Sequence, residues 1–150
     1  MSDFFIFLSS LDNIEKFPSN TSTDFISELP KPIHLNSKEN YYWTVSLVDI
    51  TLLKNETPIT PLIHLMCDIV EPSVIKGVYK PILRSFPVKP PTRADISTSG
   101  SLFIPYQFPL ITNSLHRIRI YLTDHKLQSL DFGGTETELI CSLHFQMITR

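Results

Sequence analysis

The sequence predicts an all-β fold: a sandwich, jelly roll or small barrel of about eight to ten short strands. Three observations predict it. Apolar runs are short, and most alternate with polar residues at the two-residue period of a strand. Prolines fall between almost every pair of those runs, 12 of them against 4 glycines, and proline is tolerated at strand ends, edges and loops rather than in helix interiors. The longest uninterrupted β-favouring stretch, Tyr41 to Leu53, contains neither Gly nor Pro and holds the only tryptophan.

Within that central stretch Trp43, Val45 and Leu47 alternate with Thr44 and Ser46. From Val48 the apolar set moves to Val48, Ile50 and Leu52. A one-residue phase shift sends every later side chain to the other face. Two arrangements accommodate it. One is a bulge or strong bend near Leu47-Val48, as in a sandwich where one strand serves two sheets. The other is an ordinary strand whose second half is covered on both faces. Asp49, charged in the middle of this stretch, reads as a scaffold residue, paired with an Arg or placed at the bulge, rather than as a functional carboxylate.

Phe4 to Leu8 is a continuous apolar run, too short for a helix, and reads as a buried strand. Ser9 to Thr23 is polar and turn-like. Thr23 to Pro30 fits a strand or a single helical turn equally well, with Pro30 and Pro32 ending either. Ile33 to Leu35 is a brief apolar touch before the turn at Asn36 to Asn40. After the central strand, Lys54 to Pro61 is a loop. Leu62 to Val70 alternates, with Ile63, Leu65, Cys67 and Ile69 inward. Breaks at Glu71-Pro72-Ser73 and Lys76-Gly77 precede an edge-like strand over Val78 to Phe86, which contains Pro81. Pro87 to Gly100 is a long surface loop. Leu102 to Ile111 is extended. Leu115 to Thr123 alternates with Ile118, Ile120 and Leu122 inward. Asp124 to Lys126 is a turn, and a short strand from Leu130 ends at Gly133-Gly134. Leu139 to Ile148 closes the chain, with Leu139, Cys141, Leu143 and Phe145 on one face and His144 and Gln146 on the other.

The 150 residues make one domain, residues 1–150, long enough to bury a core without staples. Charged residues are sparse at 19%, and a surface poor in charge often meets other protein. Net charge is −2, with no run of Lys or Arg, so the clustered basic face of a nucleic-acid binder is not evident. No apolar run approaches a membrane span, and the N-terminal apolar stretch lacks the basic start of a secretory signal. The two cysteines, Cys67 and Cys141, sit in apolar runs and read as buried free thiols, where ionisation and nucleophilic use are disfavoured. The five histidines, His34, His64, His116, His125 and His144, are scattered. No pair has metal-motif spacing on one strand face. His64 and His144 are expected on outward faces and His125 in a turn. No phosphate-binding glycine loop or serine nucleophile elbow is present. Asn20-Thr21-Ser22 and Asn55-Glu56-Thr57 match the glycosylation pattern by chance.

Two sets of residues carry a resemblance. The first runs from Phe4-Phe5-Ile6-Phe7-Leu8-Ser9-Ser10 through Phe17-Pro18-Ser19-Asn20-Thr21, Phe25 and Leu29-Pro30-Lys31-Pro32-Ile33-His34-Leu35 to the stretch Trp43-Thr44-Val45-Ser46-Leu47-Val48-Asp49-Ile50. The second comprises Tyr106, Pro109-Leu110, Ile118 to Asp124, Phe132-Gly133-Gly134 and Leu143-His144-Phe145. In that order they resemble the minor capsid, or penton, proteins of Polinton/Maverick-type elements, adintoviruses and related virophage-like viruses. The signature positions are Asn20, Phe25, Leu29, Pro30, Trp43, Leu143, His144 and Phe145. The resemblance spans most of the chain; Pro58 to Gly100 follows only in outline, and His125-Lys126 stands where the pattern has a glycine turn. It implies a single jelly-roll β-sandwich of about eight strands. It further implies a structural role without catalysis or cofactor, and homopentamers at capsid vertices among major capsid proteins built from two jelly rolls. The protein's place is then the virion, and the host-cell interior before assembly. A second class, a ligand- or carbohydrate-binding or adaptor sandwich, is motivated by Tyr41, Tyr42, Trp43 and Tyr106 as a stacking platform. A third, a metal-dependent jelly-roll enzyme, would need histidines to converge in space.

Overall fold

The computed structural model describes residues 3–36, 39–53, 62–87, 96–97, 106–130 and 138–149. Eleven strands appear among them, and no helix: β1 (Asp3–Ser9), β2 (Asp24–His34), β3 (Tyr41–Leu53), β4 (Leu62–Cys67), β5 (Ser73–Ile75), β6 (Val78–Lys80), β7 (Ile82–Pro87), β8 (Ile96–Ser97), β9 (Phe108–Pro109), β10 (Ser114–Thr123) and β11 (Glu138–Thr149). One sheet has the order β1-β11-β3-β8, with β9 also paired to β3. The other has the order β2-β10-β4-β7, and β5-β6 is a separate hairpin. All pairings are antiparallel. The chain crosses between the sheets at β1–β2, β2–β3, β3–β4, β7–β8, β9–β10 and β10–β11: β1 and β2 start at one lateral edge, and β10 and β11 return between them and β4 and β3. That winding is a jelly roll, one of the architectures the strand pattern allows and the one the resemblance implies.

The core lies between the sheets, where inward residues of both interdigitate. From the first sheet come Ile6, Leu8, Trp43, Val45, Leu47, Ile50, Leu139, Cys141, Leu143 and Phe145; from the second come Phe25, Ile63, Leu65, Cys67, Leu83, Leu115, Ile118, Ile120 and Leu122. The inward faces predicted for β4, β10 and β11 are all buried. Phe145 stacks on Phe4 with centroids 4.9 Å apart, and Trp43 tilts against Phe4 at 5.6 Å.

The phase shift in β3 is a bulge. Against β11, Leu47 faces Leu143 and Asp49 faces Ser142, so Val48 is the extra residue. The bulge keeps Leu47 and Ile50 both inward although they are three apart, which resolves the conflict in alternation. β3 does not cross into the second sheet; both halves stay in the first. Asp49 sits beside the bulge and is exposed.

Three expectations change, and one open alternative is decided. β1 is half-buried rather than buried: it is the outer strand of its sheet, so Ile6 and Leu8 point inward while Phe5 and Phe7 are exposed. Thr23 to Pro30 is strand rather than helical turn, and Pro30 and Pro32 do not end it. β2 is also an outer strand, and its pairing with β10 jumps from Glu28–Arg117 to Ile33–Leu115. The prolines sit in that irregularity, where no ladder donor is needed. The same irregularity turns Leu115 inward, out of step with Arg117 and Arg119. The break at Lys76-Gly77 is the tip of the β5–β6 hairpin, with φ of 49° and 77° at its two central residues, the left-handed pair of a type I′ turn. Pro81 divides the strand expected over Val78 to Phe86 into β6 and β7, and β7 is an edge strand as predicted. The turn at Asp124 to Lys126 forms; Asp124 Oδ1 accepts from the Lys126 and Gln128 N–H groups, and Leu127 takes a φ of 65°. The loops at Lys54 to Pro61 and the glycine turn at Gly133-Gly134 lie outside the described residues, as does most of Pro87 to Gly100.

Candidate functional site

The signature positions are distributed through the scaffold and do not form one site. Asn20 is a backbone clamp: its Nδ2 donates to the Ile26 carbonyl at 3.0 Å, and its Oδ1 accepts from the Ile26 N–H at 2.9 Å. Those two bonds close the loop leading into β2 and occupy the amide nitrogen that glycosylation would use. Phe25, Leu143 and Phe145 are core, Leu29 packs against it, and Pro30 is exposed. Trp43 is buried and donates from Nε1 to the Asn36 carbonyl at 3.0 Å. His144 points outward, stacks on Phe5 with centroids 4.3 Å apart, and approaches Asp3 Oδ2 with Nε2 at 3.1 Å.

A concave surface lies at one end of the sandwich. It is a cleft of about 640 Å³ lined by Leu35, Tyr41, Tyr42, Trp43 and Glu71 with the segment Pro109 to Asn113, a volume in the range of ligand pockets. The start of β3, the end of β9 and the segments just after β2 and just before β10 contribute to it. Backbone hydrogen bonds lace its walls: Leu35 N–H to the Asn113 carbonyl, Leu110 N–H to Trp43, Ile111 N–H to Ile69 and Glu71 N–H to Pro109. Three of the four expected platform aromatics therefore meet here. Tyr41 is exposed at the rim, while Trp43 gives most of its surface to the core. Tyr106 is elsewhere, against β7, with the Arg84 guanidinium 4.2 Å over its ring. Glu71, Thr112 and Asn113 add polar groups that sequence periodicity could not place, because they come from loops joined only by the fold.

The second sheet carries a charged outer face. Glu28 is held by Lys16, by Arg117 Nε at 3.2 Å and by His116 Nε2 at 3.4 Å. The hydrogen bond from Lys16 is the main cause of its carboxyl titrating below the usual range. Arg119 grips Asp24 with two bonds of 2.9 and 2.8 Å. Exposed pairs of this kind order side chains more than they stabilise the fold.

His64 is the unexpected residue. It lies on the outward face of β4 as predicted, yet it is buried. Its Nδ1 is 2.7 Å from Ser85 Oγ, and its Nε2 is buried with no hydrogen-bond partner among the described residues. Burial pushes its pKa below the ordinary histidine value, with Lys76 acting in the same direction. Cys67 and Cys141 are free and fully buried. Burial raises the Cys67 thiol to about 12 and the Cys141 thiol further, the latter also through its neighbour Cys67 across the core. Neither is a nucleophile at neutral pH. Among the described residues no three His, Cys, Asp or Glu side chains gather as a metal-ligand set, and no helix is long and apolar enough to cross a membrane.

No protein-family model and no curated protein sequence matches this chain.

Proposed function

We propose that this chain is a structural minor capsid (penton) protein of a Polinton-like or virophage-like DNA virus or element. On this reading it assembles as homopentamers at icosahedral vertices, next to a major capsid protein built from two jelly rolls. The observation that carries the reading is the jelly-roll winding itself, in which the signature residues act as core, clamp and strand residues. The fold hosts other functions too, so the weight beyond it rests on the sequence resemblance. The role needs no reaction and no cofactor, and it places the protein in the virion. Co-expression with the major capsid protein of the same element tests it. Vertex-located density for this chain in the resulting particles is the expected result. Particles that close without it, together with no binding to the major capsid protein, would overturn the reading.

A second reading is favoured by the end cleft. Tyr41 and Tyr42 beside Glu71, Thr112 and Asn113 offer ring faces and hydrogen-bonding groups of the kind that hold a sugar. Glycan-array binding abolished by Tyr42→Ala in a folded protein would establish it. A blank array for the wild-type protein would remove it.

A further inference from the structure

β2 ends its sheet, with β10 on one side and no described strand on the other. The Thr23 carbonyl accepts from the Leu122 N–H of β10 at 2.7 Å. Alternation therefore turns the backbone groups of Thr23, Phe25 and Ser27 toward β10, and those of Asp24, Ile26 and Glu28 away from it. Outward groups of this kind are a ready template for a strand of another chain.

In this chain they are already taken. Asp24 and Thr21 exchange backbone bonds of 3.4 and 2.9 Å, and the Asp24 N–H also reaches Thr21 Oγ1 at 3.2 Å. The Asn20 side chain holds both backbone groups of Ile26. Asn13 Oδ1 accepts from the Glu28 N–H at 3.1 Å and from Ser27 Oγ at 3.2 Å. The next alternate positions are Pro30 and Pro32, which have no N–H to offer. From Asp24 to Pro32, every second residue therefore lacks a free backbone donor.

The loop between β1 and β2 supplies these partners, and further contacts hold it along the edge. Lys16 pairs with Glu28, and the Arg117 guanidinium lies 5.4 Å from the Phe17 ring centroid. The loop's own backbone is folded into turns, with Asp12 N–H bonded to the Ser9 carbonyl, Phe17 to Asn13 and Asn20 to Phe17. A strand laid on β2 would present a new edge of its own, whereas a segment folded in turns ends the sheet. Anchoring a loop would require no particular spacing. Partners on Asp24, Ile26 and Glu28, followed by Pro30 and Pro32, match the two-residue period of a strand edge.

We propose that residues 11–22 form a strap that closes the β2 edge to strand addition, with Asn13 and Asn20 occupying the backbone groups that a strand of another chain would pair with. The strap goes beyond the capsid and sugar readings and depends on neither. It also gives Asn20, one of the signature positions, a task that its two bonds to a single residue perform: they remove donor and acceptor from the edge together.

Hydrogen exchange followed by NMR, with sedimentation velocity over a concentration series, tests the strap. In the wild type the Ile26 and Glu28 N–H groups are expected to exchange slowly. Asn13→Ala with Asn20→Ala is expected to speed both roughly tenfold, the loss of about one hydrogen bond each. Ser27, whose N–H faces β10, is expected to keep its rate. The same variant is expected to show an association absent from the wild type that grows with concentration. Adding Ile26→Pro removes the central freed donor and is expected to abolish that association. Asn13→Ala alone leaves Asn20 holding the loop and keeps the test readable where the double variant does not fold. There Glu28 alone is expected to exchange faster, with a weaker added association. Unchanged exchange at Glu28 means that Asn13 does not occupy the edge, and it overturns the strap. Faster exchange in a folded variant with no added association at any concentration means that the asparagines only anchor the loop, and it also overturns it. An added association that survives Ile26→Pro runs through another surface and overturns it equally.

Discussion

Trp43 shows how much one side chain decides in this protein. Its ring fills the end of the core against Phe4, its indole N–H fixes the Asn36 carbonyl, and its remaining surface lines the end cleft. Trp43→Ala is expected to cost about 3–5 kcal/mol, the range for truncating a buried aromatic, read as a lowered midpoint in urea. A near-native midpoint would mean that the cleft, not the core, holds the ring. His64 decides a different property. The unfolded chain protonates this imidazole near its ordinary value of 6.5, whereas the folded chain keeps it neutral to lower pH because charging it there would strand a cation against buried surface. Lys76 disfavours the charge further, Asp124 favours it and His125 disfavours it. The stability tied to neutral His64 is therefore complete above about pH 6.5 and is lost as pH falls through the folded value. The stability gap between wild type and His64→Leu is expected to move in the variant's favour between about pH 7 and pH 5. A gap that stays constant with pH would mean that His64 is solvated. The outward position of His64 was legible from alternation. Its burial was not, because what lies over it comes from segments remote in sequence.

At the scale of the element, the bulge in β3 was the most legible feature of the chain. An apolar set that changes parity with no Gly or Pro nearby leaves few geometries, and Val48 as an extra residue satisfies both halves against one core. Deleting Val48 would remove the extra residue and restore plain alternation with Leu47 and Ile50 still inward and Asp49 still outward, so the deletion is expected to cost only about 1 kcal/mol. Ile50→Asp, which puts a charge in the core, is expected to cost more than about 4 kcal/mol. Thermal unfolding compares the two, and a deletion as damaging as Ile50→Asp would refute the role given to the bulge. β1 and β2 were read less well, for one reason. An aromatic run does not announce that its strand ends a sheet, and prolines mark a strand's end or its edge with equal ease. Phe5, Phe7, Pro30 and Pro32 take their meaning only once β11 and β10 are known to lie on one side and no described strand on the other.

The whole molecule is built from distant pairings. β1 pairs with β11 from the opposite end of the chain, and β2 with β10, while the separate β5–β6 hairpin is sealed locally by a type I′ turn. Loops must close before such contacts stabilise anything, so refolding is expected in milliseconds to seconds. Trp43, the sole tryptophan, reports it by fluorescence, and complete recovery within microseconds would contradict the topology. The sequence by itself determined the all-β class, the inward faces of β4, β10 and β11, and the parity change in β3, because each follows from a period of two along a few residues. It also supplied the resemblance on which the capsid reading depends. Only the tertiary structure decided that β1 and β2 are edges, that Tyr42 and Glu71 share a cleft while Tyr106 does not, and that an outward histidine is buried. Those are relations between residues far apart in the chain, and local periodicity carries no information about which distant strand a given strand will meet.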